Sequence, residues 1–407
     1  PTVAPIETAP TPAFPPSATA TPVILETPTP APITPTPGAT AFPVETPPTA
    51  VLEPTATWTP FLFETPTPRA TPTFGVPTST PGPAASSHAS ITNSLITNNN
   101  AGRGGGIVSQ GWTTLSASQV ISNTAGEAGG GVLTMHFLKL EHSTVRGNLA
   151  GEYGGGIANQ GWGAYSGAML MLEGSTVSGN ISLGRGGGIA NGANEEDIGY
   201  HQDHVILTNS TISGNEASAS GGGLYTGQGE RAFVSLDNGT ITANVADADG
   251  NGQGDGGGIF NRMGMVWVRN TLLAGNHDSS ATVRRPDCWT PRRFESGGNN
   301  LIGDASTCPL DGNLAGNLLG VAPRLDPLDD NGGDTQTHAL QANSPAIDGG
   351  NPTGCIGAFT GYLAVDQRGY MRTVDGNGDG QGVCDIGAYE FGAVQPVYRY
   401  LPLLLAQ

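Results

Sequence analysis

The stretch Ser210-Thr211-Ile212-Ser213-Gly214-Asn215, separated by five residues from a triple glycine at Gly221, is one copy of a recurring unit. The final asparagine of the unit recurs at intervals of 24 to 35 residues, at Asn99, Asn123, Asn148, Asn180, Asn215, Asn244 and Asn276. Six of these asparagines precede a triple glycine, which begins at Gly104, Gly129, Gly154, Gly186, Gly221 and Gly256. Repeats of this length are typical of solenoid proteins.

Three aliphatic columns accompany the repeated asparagine. Eight residues before it stand Ile91, Leu115, Leu140, Leu172, Leu207, Leu236 and Val268. Three residues before it stand Ile96, Val120, Val145, Val177, Ile212, Ile241 and Leu273. The third column follows each triple glycine and contains Ile107, Val132, Ile157, Ile189, Leu224 and Ile259. Three apolar columns indicate three inward-facing strands per coil, so we predict an all-β chain folded as a single-stranded parallel β-helix.

The first part of the chain has a different composition. Residues 1–83 contain 23 of the 32 prolines but 3 of the 63 glycines, which places a boundary near residue 87. A polyproline II conformation is expected for residues 1–87 because proline lacks the backbone N–H that helices and central strands require. The segment also repeats every 19 residues, and each repeat carries apolar residues two positions apart. Candidate assembly residues are therefore Val23, Leu25, Phe42, Val44, Phe61 and Phe63.

Two interpretations of this segment stay open. A Ser/Thr/Pro-rich stalk that carries O-linked glycans explains the composition. Short strands that dock on another surface explain the apolar pairs, which an inert spacer does not need.

The charge balance excludes two classes of partner. The chain has 16 Lys and Arg against 34 Asp and Glu, a formal net charge of −18. Nucleic acids and anionic membrane surfaces both require a basic footprint, so neither is an expected partner.

No stretch approaches 18 consecutive apolar residues, so no membrane span is expected. Because the sequence begins at Pro1, we expect that a signal peptide has been removed and that the protein is exported.

The four cysteines lie in the last third of the chain, at Cys288, Cys308, Cys355 and Cys384. None has the short spacing of a zinc or redox site, so disulfides are expected in an exported protein. Four cysteines allow three pairings, of which the nearest-neighbour pairing closes the shortest loops.

We expect the β-helix to occupy residues 88–320. A disulfide-containing module that continues or caps it is expected at residues 321–391, and a short apolar tail at residues 392–407.

The repeats resemble a known superfamily. The Gly-Gly-Gly-Ile-x-Asn strings at residues 154–159, 186–191 and 256–261 resemble right-handed parallel β-helices and look most like repeats of bacterial polymorphic outer-membrane proteins. A later set of motifs looks like the choice-of-anchor Q region of bacterial surface proteins, at residues 298–303, 330–333, 337–340, 344–348, 366–369 and 384–390. The resemblance implies a right-handed coil and a secreted or surface-exposed bacterial protein, and it brings no established catalytic residues.

One corner of the solenoid is expected to carry insertions, because the distance from the glycine column to the next strand grows in the middle coils. These insertions contain aromatic and polar side chains suited to sugar rings or to a protein surface. The candidate binding face consists of Trp162, Tyr165, Tyr200, His201 and His204. Solvated loops without a ligand are the simpler interpretation.

Two runs of Asp, Asn and Gly resemble the beginning of a calcium-binding loop. Neither run has the glutamate that such a loop needs at its twelfth position, and polar turns explain them equally well. The candidate ligands are Asp247, Asp249, Asn251 and Asp255 in the first run, and Asp375, Asn377, Asp379 and Asp385 in the second. No cofactor is required, and calcium is the one ion that the pattern favours.

The leading hypothesis is an extracellular structural protein. A β-helix has open strand edges at its ends, and these edges invite stacking. The chain would serve as a building block of a filament, stalk or layer, joined through solenoid ends and the N-terminal segment. The first alternative is a carbohydrate-binding adhesin. The second is a polysaccharide lyase or hydrolase, for which Glu195, Asp197 and Asp203 are the nearby carboxylates; the corner has no Arg or Lys for lyase chemistry, and we do not expect an enzyme.

Overall fold

The computed structural model describes residues 88–161, 167–192, 202–227, 229–281, 284–357 and 361–396. Every regular element in these ranges is a β-strand. Within them, no helix is present that is long and apolar enough to cross a membrane.

Seven complete coils contain four strands each, and two further strand pairs follow. In chain order the strands are β1 (His88–Thr92), β2 (Leu95–Thr97), β3 (Asn100–Ala101), β4 (Ile107–Ser109), β5 (Trp112–Ser116), β6 (Gln119–Ile121), β7 (Thr124–Ala125), β8 (Val132–Thr134), β9 (Phe137–Glu141), β10 (Thr144–Arg146), β11 (Leu149–Ala150), β12 (Ile157–Asn159), β13 (Met169–Glu173), β14 (Thr176–Ser178), β15 (Ile181–Ser182), β16 (Ile189–Asn191), β17 (His204–Thr208), β18 (Thr211–Ser213), β19 (Glu216–Ala217), β20 (Leu224–Thr226), β21 (Phe233–Asp237), β22 (Thr240–Thr242), β23 (Val245–Ala246), β24 (Ile259–Asn261), β25 (Met265–Arg269), β26 (Leu272–Leu273), β27 (His277–Asp278), β28 (Cys288–Trp289), β29 (Phe294–Gly298), β30 (Leu301–Ile302), β31 (Leu310–Asn313) and β32 (Leu318–Leu319).

Equivalent strands of successive coils form four parallel sheets. Sheet A runs from β1 through β5, β9, β13, β17, β21, β25 and β29 to β31, and sheet B from β2 to β32 in the same manner. Sheets C and D have seven strands each and end at β27 and β28. The predicted parallel β-helix is therefore confirmed.

A fourth strand per coil was not expected from the three apolar columns. Sheet C consists of two-residue strands that follow each repeated asparagine, and its inward residue is small and buried, as at Ala125, Ala150 and Ala217. A two-residue strand with an alanine inside leaves no aliphatic column in the sequence, which explains why the pattern did not reveal it.

The three predicted columns form the core. From the second coil to the seventh, every member is at most 1% exposed, and the first-coil members Ile91, Ile96 and Ile107 are half-buried. Identical or similar residues pair across the coils, as in the register Leu140↔Leu172↔Leu207. Burying one such side chain contributes about 1.5–3 kcal/mol. A further buried column in sheet A contains Leu138, Leu170, Val205, Val234 and Val266.

Side-chain ladders hold the corners. From Asn123 to Asn276, each repeated asparagine accepts two N–H groups from the asparagine of the preceding coil: Asn148 donates its backbone N–H and its Nδ2 to Oδ1 of Asn180, at 3.0 and 2.9 Å. A second ladder joins serine hydroxyls to backbone N–H groups along Ser94, Ser118, Ser143, Ser175 and Ser210. The third glycine of each triplet leaves room for the next coil and for the asparagine, since a Cβ on Gly188 would lie 2.6 Å from the Gly223 carbonyl oxygen and 3.0 Å from the Asn215 side-chain amide.

The C-terminal segment turns back after β32. It contains the antiparallel pairs β33 (Leu325–Asp329) with β34 (Thr337–Leu340), and β35 (Ile356–Gly357) with β36 (Gly361–Tyr362). Its hydrogen bonds reach the fourth to the eighth coil, from Thr176 Oγ1 donating to Gln336 O at 2.7 Å to Asn299 Nδ2 donating to Gly350 O at 2.9 Å. Within residues 321–391, this segment packs along the side of the solenoid, where polar residues of sheet B such as Thr176, Thr211 and Thr240 form hydrogen bonds with it.

Two disulfides join Cys288 with Cys308 and Cys355 with Cys384, and all four cysteines are fully buried. The first closes the end of sheet D against the loop that precedes β31. The second lies inside the C-terminal segment beside Leu363.

Candidate functional site

The first coil ends the solenoid with an open edge, here called the N-terminal edge and consisting of β1–β4. Each of its strands pairs with the second coil only: β1 with β5, β2 with β6, β3 with β7 and β4 with β8. Among the described residues no strand pairs with the other side of this edge. Leu95 and Val108 on it are 62% and 47% exposed. An edge with unpaired backbone groups and exposed apolar side chains can accept a further strand.

Asn99 shows that the internal ladders also stop at the N-terminal edge. It donates its backbone N–H and Nδ2 to Oδ1 of Asn123, at 3.0 and 2.9 Å. Within the described part of the chain, its own Oδ1 receives no N–H group, whereas Oδ1 of Asn123, Asn148 and Asn180 each receives two. The polarity of the ladder therefore presents acceptors at the N-terminal edge.

The opposite end of the solenoid is built differently. Sheets A and B extend two strands beyond sheets C and D, so the last coils do not present four matching edges. The asparagine ladder ends at Asp287, whose Oδ1 accepts the backbone N–H and Nδ2 of Asn276 at 3.0 and 2.9 Å. A carboxylate has no N–H to pass on, so Asp287 terminates the ladder. Burial raises the pKa of this carboxyl.

The predicted binding face is largely outside the described residues, because Trp162, Tyr165, Tyr200 and His201 all lie there. His204 is described: it lies on the outer side of β17, with its ring centroid 6.1 Å from that of Phe233. Burial lowers the pKa of His204. Glu195 and Asp197 are also outside the described residues.

Asp203, the third candidate carboxylate, has a structural role. It is fully buried, and its Oδ1 accepts backbone N–H groups of Gly161 and Ala168, both at 2.7 Å. The carboxylate therefore fixes the two ends of the inserted loop between β12 and β13.

Aromatic side chains form two stacks on the outer surface. In sheet A the rings of Trp112 and Phe137 lie 4.3 Å apart, and in sheet D the rings of Tyr225, Phe260 and Trp289 are separated by 5.4 and 4.6 Å. Neighbouring rings cover each other's faces, and it is the ring face that a sugar needs for stacking. The stacks thus join successive coils, and Tyr225 in the second stack is fully buried.

The first candidate calcium run is held by protein donors. Asp247 is fully buried, and its carboxylate accepts the backbone N–H of Gly252 and the hydroxyl of Ser280. Asp255 forms an ion pair with Arg285. Asp249 and Asn251 form exposed turn hydrogen bonds with each other and with Gln253.

The second run forms an exposed turn. The carboxylate of Asp375 accepts the backbone N–H groups of Gly378, Asp379 and Gly380, while Asn377 accepts a second bond from Asp379. Asp385 lies apart from this turn in the interior. Within the described residues, no group of three or more His, Cys, Asp or Glu side chains is arranged to hold a metal ion. Calcium binding stays a prediction.

A buried ionic cluster fixes the C-terminal segment. Arg368 forms an ion pair with Asp366 at 2.7 Å and lies between the rings of Tyr370 and Tyr389, 4.3 and 3.6 Å from their centroids. Arg372 contacts Glu390 at 3.3 Å and donates to Asn209 Oδ1 of the solenoid at 2.7 Å.

The fifth member of this cluster, Asp385, accepts the backbone N–H groups of Asp348 and Phe391 at 2.7 and 2.5 Å. Burial, together with the nearby Glu390, raises the pKa of Asp385 to about 8. Three carboxyls share two guanidinium groups, so retaining a proton on one carboxyl brings the cluster closer to neutrality.

Ser213 and His338 form a serine–histidine pair, the arrangement that nucleophilic catalysis uses. Ser213 Oγ lies 2.7 Å from His338 Nε2, and His338 Nδ1 lies 2.7 Å from the carbonyl oxygen of Asp326. Both side chains are buried, and burial lowers the pKa of His338. The pair joins β18 to β34, and its inaccessibility assigns it to anchoring the C-terminal segment. Sequence analysis missed this anchor because no spacing rule links residues 213 and 338.

A small polar cavity of about 220 Å³ lies where the first three coils meet the C-terminal segment. Its lining includes Asn93, His142 and Asp334, and the last two are 3.9 Å apart. The lining hydroxyl of Ser118 is already engaged in the serine ladder. No nucleophile and base at hydrogen-bond distance line this cavity.

Of the predicted assembly residues, Val23, Leu25, Phe42, Val44, Phe61 and Phe63 all lie outside the described residues. Among the described residues, the N-terminal edge is the solenoid end at which all four sheets stop together without a pairing strand. Comparison of the chain with models of protein families, with curated proteins and with solved structures gives no match.

Proposed function

We propose that this chain is an extracellular structural protein, a rigid β-helical building block whose copies assemble through the N-terminal edge. The observation that carries the proposal is the open side of β1–β4, where strand pairing and the asparagine ladder both stop. Natural β-proteins usually protect such edges with charges, prolines or covering segments. Leu95 and Val108 instead leave this edge apolar and exposed.

Rigidity supports the same proposal. The C-terminal segment binds five successive coils through hydrogen bonds, and two disulfides close its interior and the end of sheet D. Disulfides persist in oxidising environments outside the cytosol. The place of action that we propose is therefore the surface or surroundings of a bacterial cell.

Sedimentation velocity over a wide range of protein concentration, combined with negative-stain electron microscopy, tests this function. The native chain is expected to form larger species as concentration rises. Ala89→Lys places a charge at an exposed position of the edge strand β1 and should weaken association by about tenfold or more, a penalty of about 1.4 kcal/mol.

The matched control is Leu183→Lys. Leu183 is exposed, as Ala89 is, but it follows β15 in the middle of the solenoid. This control should associate like the native chain. A native chain that stays monomeric at the highest concentrations would overturn the proposal.

Residues 1–87 have two proposed roles, which native protein can distinguish. Mass spectrometry of the chain isolated from its source detects O-linked glycans on the Thr-rich stretches directly. A mass equal to that of the bare polypeptide removes the glycan role and leaves the contact with a neighbouring subunit.

A further inference from the structure

Segments of the N-terminal region share the sequence pattern of the strands in sheet A. Residues 138–141 in β9 read Leu-Lys-Leu-Glu and residues 170–173 in β13 read Leu-Met-Leu-Glu. Residues 23–26 read Val-Ile-Leu-Glu and residues 61–64 read Phe-Leu-Phe-Glu. In β9 and β13, the leucines at the second and fourth strand positions point inward and are buried, and the glutamate at the fifth position faces outward. The pattern therefore matches the inward and outward positions of a sheet A strand.

The length of these segments also fits. Prolines at 22 and 28 enclose residues 23–27, and prolines at 60 and 66 enclose residues 61–65. Aligned on the glutamate, residues 23–26 and 61–64 match the second to fifth positions of the five-residue strands of sheet A, and Pro22 or Pro60 takes the first position, where a strand tolerates proline. Proline ends strand pairing because it has no N–H to donate, so the boundaries are set by the sequence.

β1 is the end of sheet A and has room for one more strand. It pairs in register with β5, His88 opposite Trp112 and Ile91 opposite Leu115. Leu115 is fully buried, whereas Ile91 is half-buried because nothing in the described chain covers it from the other side. A strand with an apolar residue opposite Ile91 would extend that column by one position and remove both side chains from water.

The opposite solenoid end is a poor occupant for this edge. Sheets C and D end earlier than sheets A and B, and Asp287 closes the asparagine ladder. An isolated strand needs only one sheet to match. Such a strand from the same chain would have to return to β2–β4 through residues 66–87, which contain six prolines. Those prolines lack the N–H groups that the missing strands of a coil would supply.

We propose that the N-terminal edge binds an apolar-x-apolar-Glu segment of a second copy of this chain, residues 23–26 or 61–64, as an added strand of sheet A. This inference rests on the proposed assembly function and names the partner of its site. Glu26 or Glu64 then lies beside Thr92, and Leu25 or Phe63 lies beside Ile91. Because the segment recurs while each solenoid has one such edge, one chain can engage more than one neighbour.

Mixed single-cysteine variants test this contact. In the proposed register Ile24 lies beside Ser90, so one chain carries Ser90→Cys and a separately purified chain carries Ile24→Cys. Neighbouring strands bring the two Cα atoms within the range that a disulfide requires. The native cysteines are all paired and fully buried, which keeps them out of exchange. Mild oxidation of the mixture is expected to give a heterodimer joined through these two positions, identified by peptide mass spectrometry.

Thr34→Cys, between two repeats, is the matched control for Ile24→Cys and should give no such heterodimer with Ser90→Cys. A chain carrying both Ser90→Cys and Ile24→Cys reports the alternative: an intrachain link in a monomer would overturn binding in trans. Asp substitution of Val23, Leu25, Phe42, Val44, Phe61 and Phe63 should abolish both the cross-link and the larger species seen in sedimentation.

The failures of the two proposals are distinguishable. Larger species that persist in the Asp-substituted chain without the cross-link would overturn the added strand and leave assembly through another surface. A native chain that forms neither larger species nor the heterodimer would overturn both.

Discussion

Replacement of Asn180 by alanine tests the asparagine ladder at the middle of the solenoid. Asn180 is fully buried, and its Nδ2 donates to Asn215 Oδ1 and Val145 O at 2.9 and 3.0 Å. Its Oδ1 accepts two further bonds from Asn148. Asn180→Ala therefore removes four hydrogen bonds at one corner while leaving the backbone of the coil in place.

The expected loss follows from these contacts. A hydrogen bond contributes about 1 kcal/mol net, and a buried donor left without a partner costs about 1–3 kcal/mol. The backbone N–H of Asn148 becomes such a donor. We expect the free energy of unfolding to fall by roughly 3–5 kcal/mol, at the upper end of what single substitutions cause.

Urea unfolding followed by far-UV circular dichroism measures this change, with the slope against urea concentration checked for constancy. The matched variant is Asn99→Ala at the exposed N-terminal edge, which removes only the bond from Asn99 Nδ2 to Asn123. That variant should lose less than about 1 kcal/mol. Equal losses for Asn99→Ala and Asn180→Ala would refute the idea that the buried ladder, and not asparagine itself, stabilises the corner.

Three other predictions follow from particular contacts. Gly188→Ala should prevent stable folding or strongly lower the urea midpoint because its Cβ would meet the Gly223 carbonyl at 2.6 Å, while Gly102→Ala, with no atom within 4 Å, should match the native chain. Replacing Cys355 and Cys384 by serine opens a loop of 29 residues and should cost about 3–4 kcal/mol, seen as earlier proteolysis of the C-terminal segment; unchanged protease resistance would contradict this. The folded-state pKa of Asp385, about 8, lies above its unfolded value, so the folded chain binds more protons and stability should fall as pH rises from about 4 to 8. Asp385→Asn should flatten that slope in urea unfolding series, and an unaltered slope would assign the titration elsewhere.

The coils were predictable because each one repeats the same environment. Leu140, Leu172 and Leu207 occupy one column, so the core residues can be identified in the sequence by their regular spacing. The serine ladder follows the same logic at five residues before the asparagine, although the pattern drew no attention to it. The two-residue strands of sheet C escaped detection because an inward alanine carries little periodic signal.

The candidate sites were less predictable. Asp255 and Asp375 belong to runs with ligand-like spacing, but the structure engages the first with Arg285 and the second with backbone N–H groups. Spacing alone does not report which donors reach a carboxylate. The sequence predicted that the solenoid has open ends. It did not predict that sheets C and D would stop two strands before sheets A and B at the opposite end.

By itself, the sequence determined the β-helix and its core columns, because those properties depend on residues that recur at regular intervals. Only the tertiary structure decided that the C-terminal segment lies along the coils. Its anchors, such as Ser213 with His338 and Asn209 with Arg372, join residues more than 120 positions apart without any repeat. The tertiary structure also decided how the two solenoid ends differ, because the length of each sheet depends on strand pairing: sheets C and D stop two strands before sheets A and B.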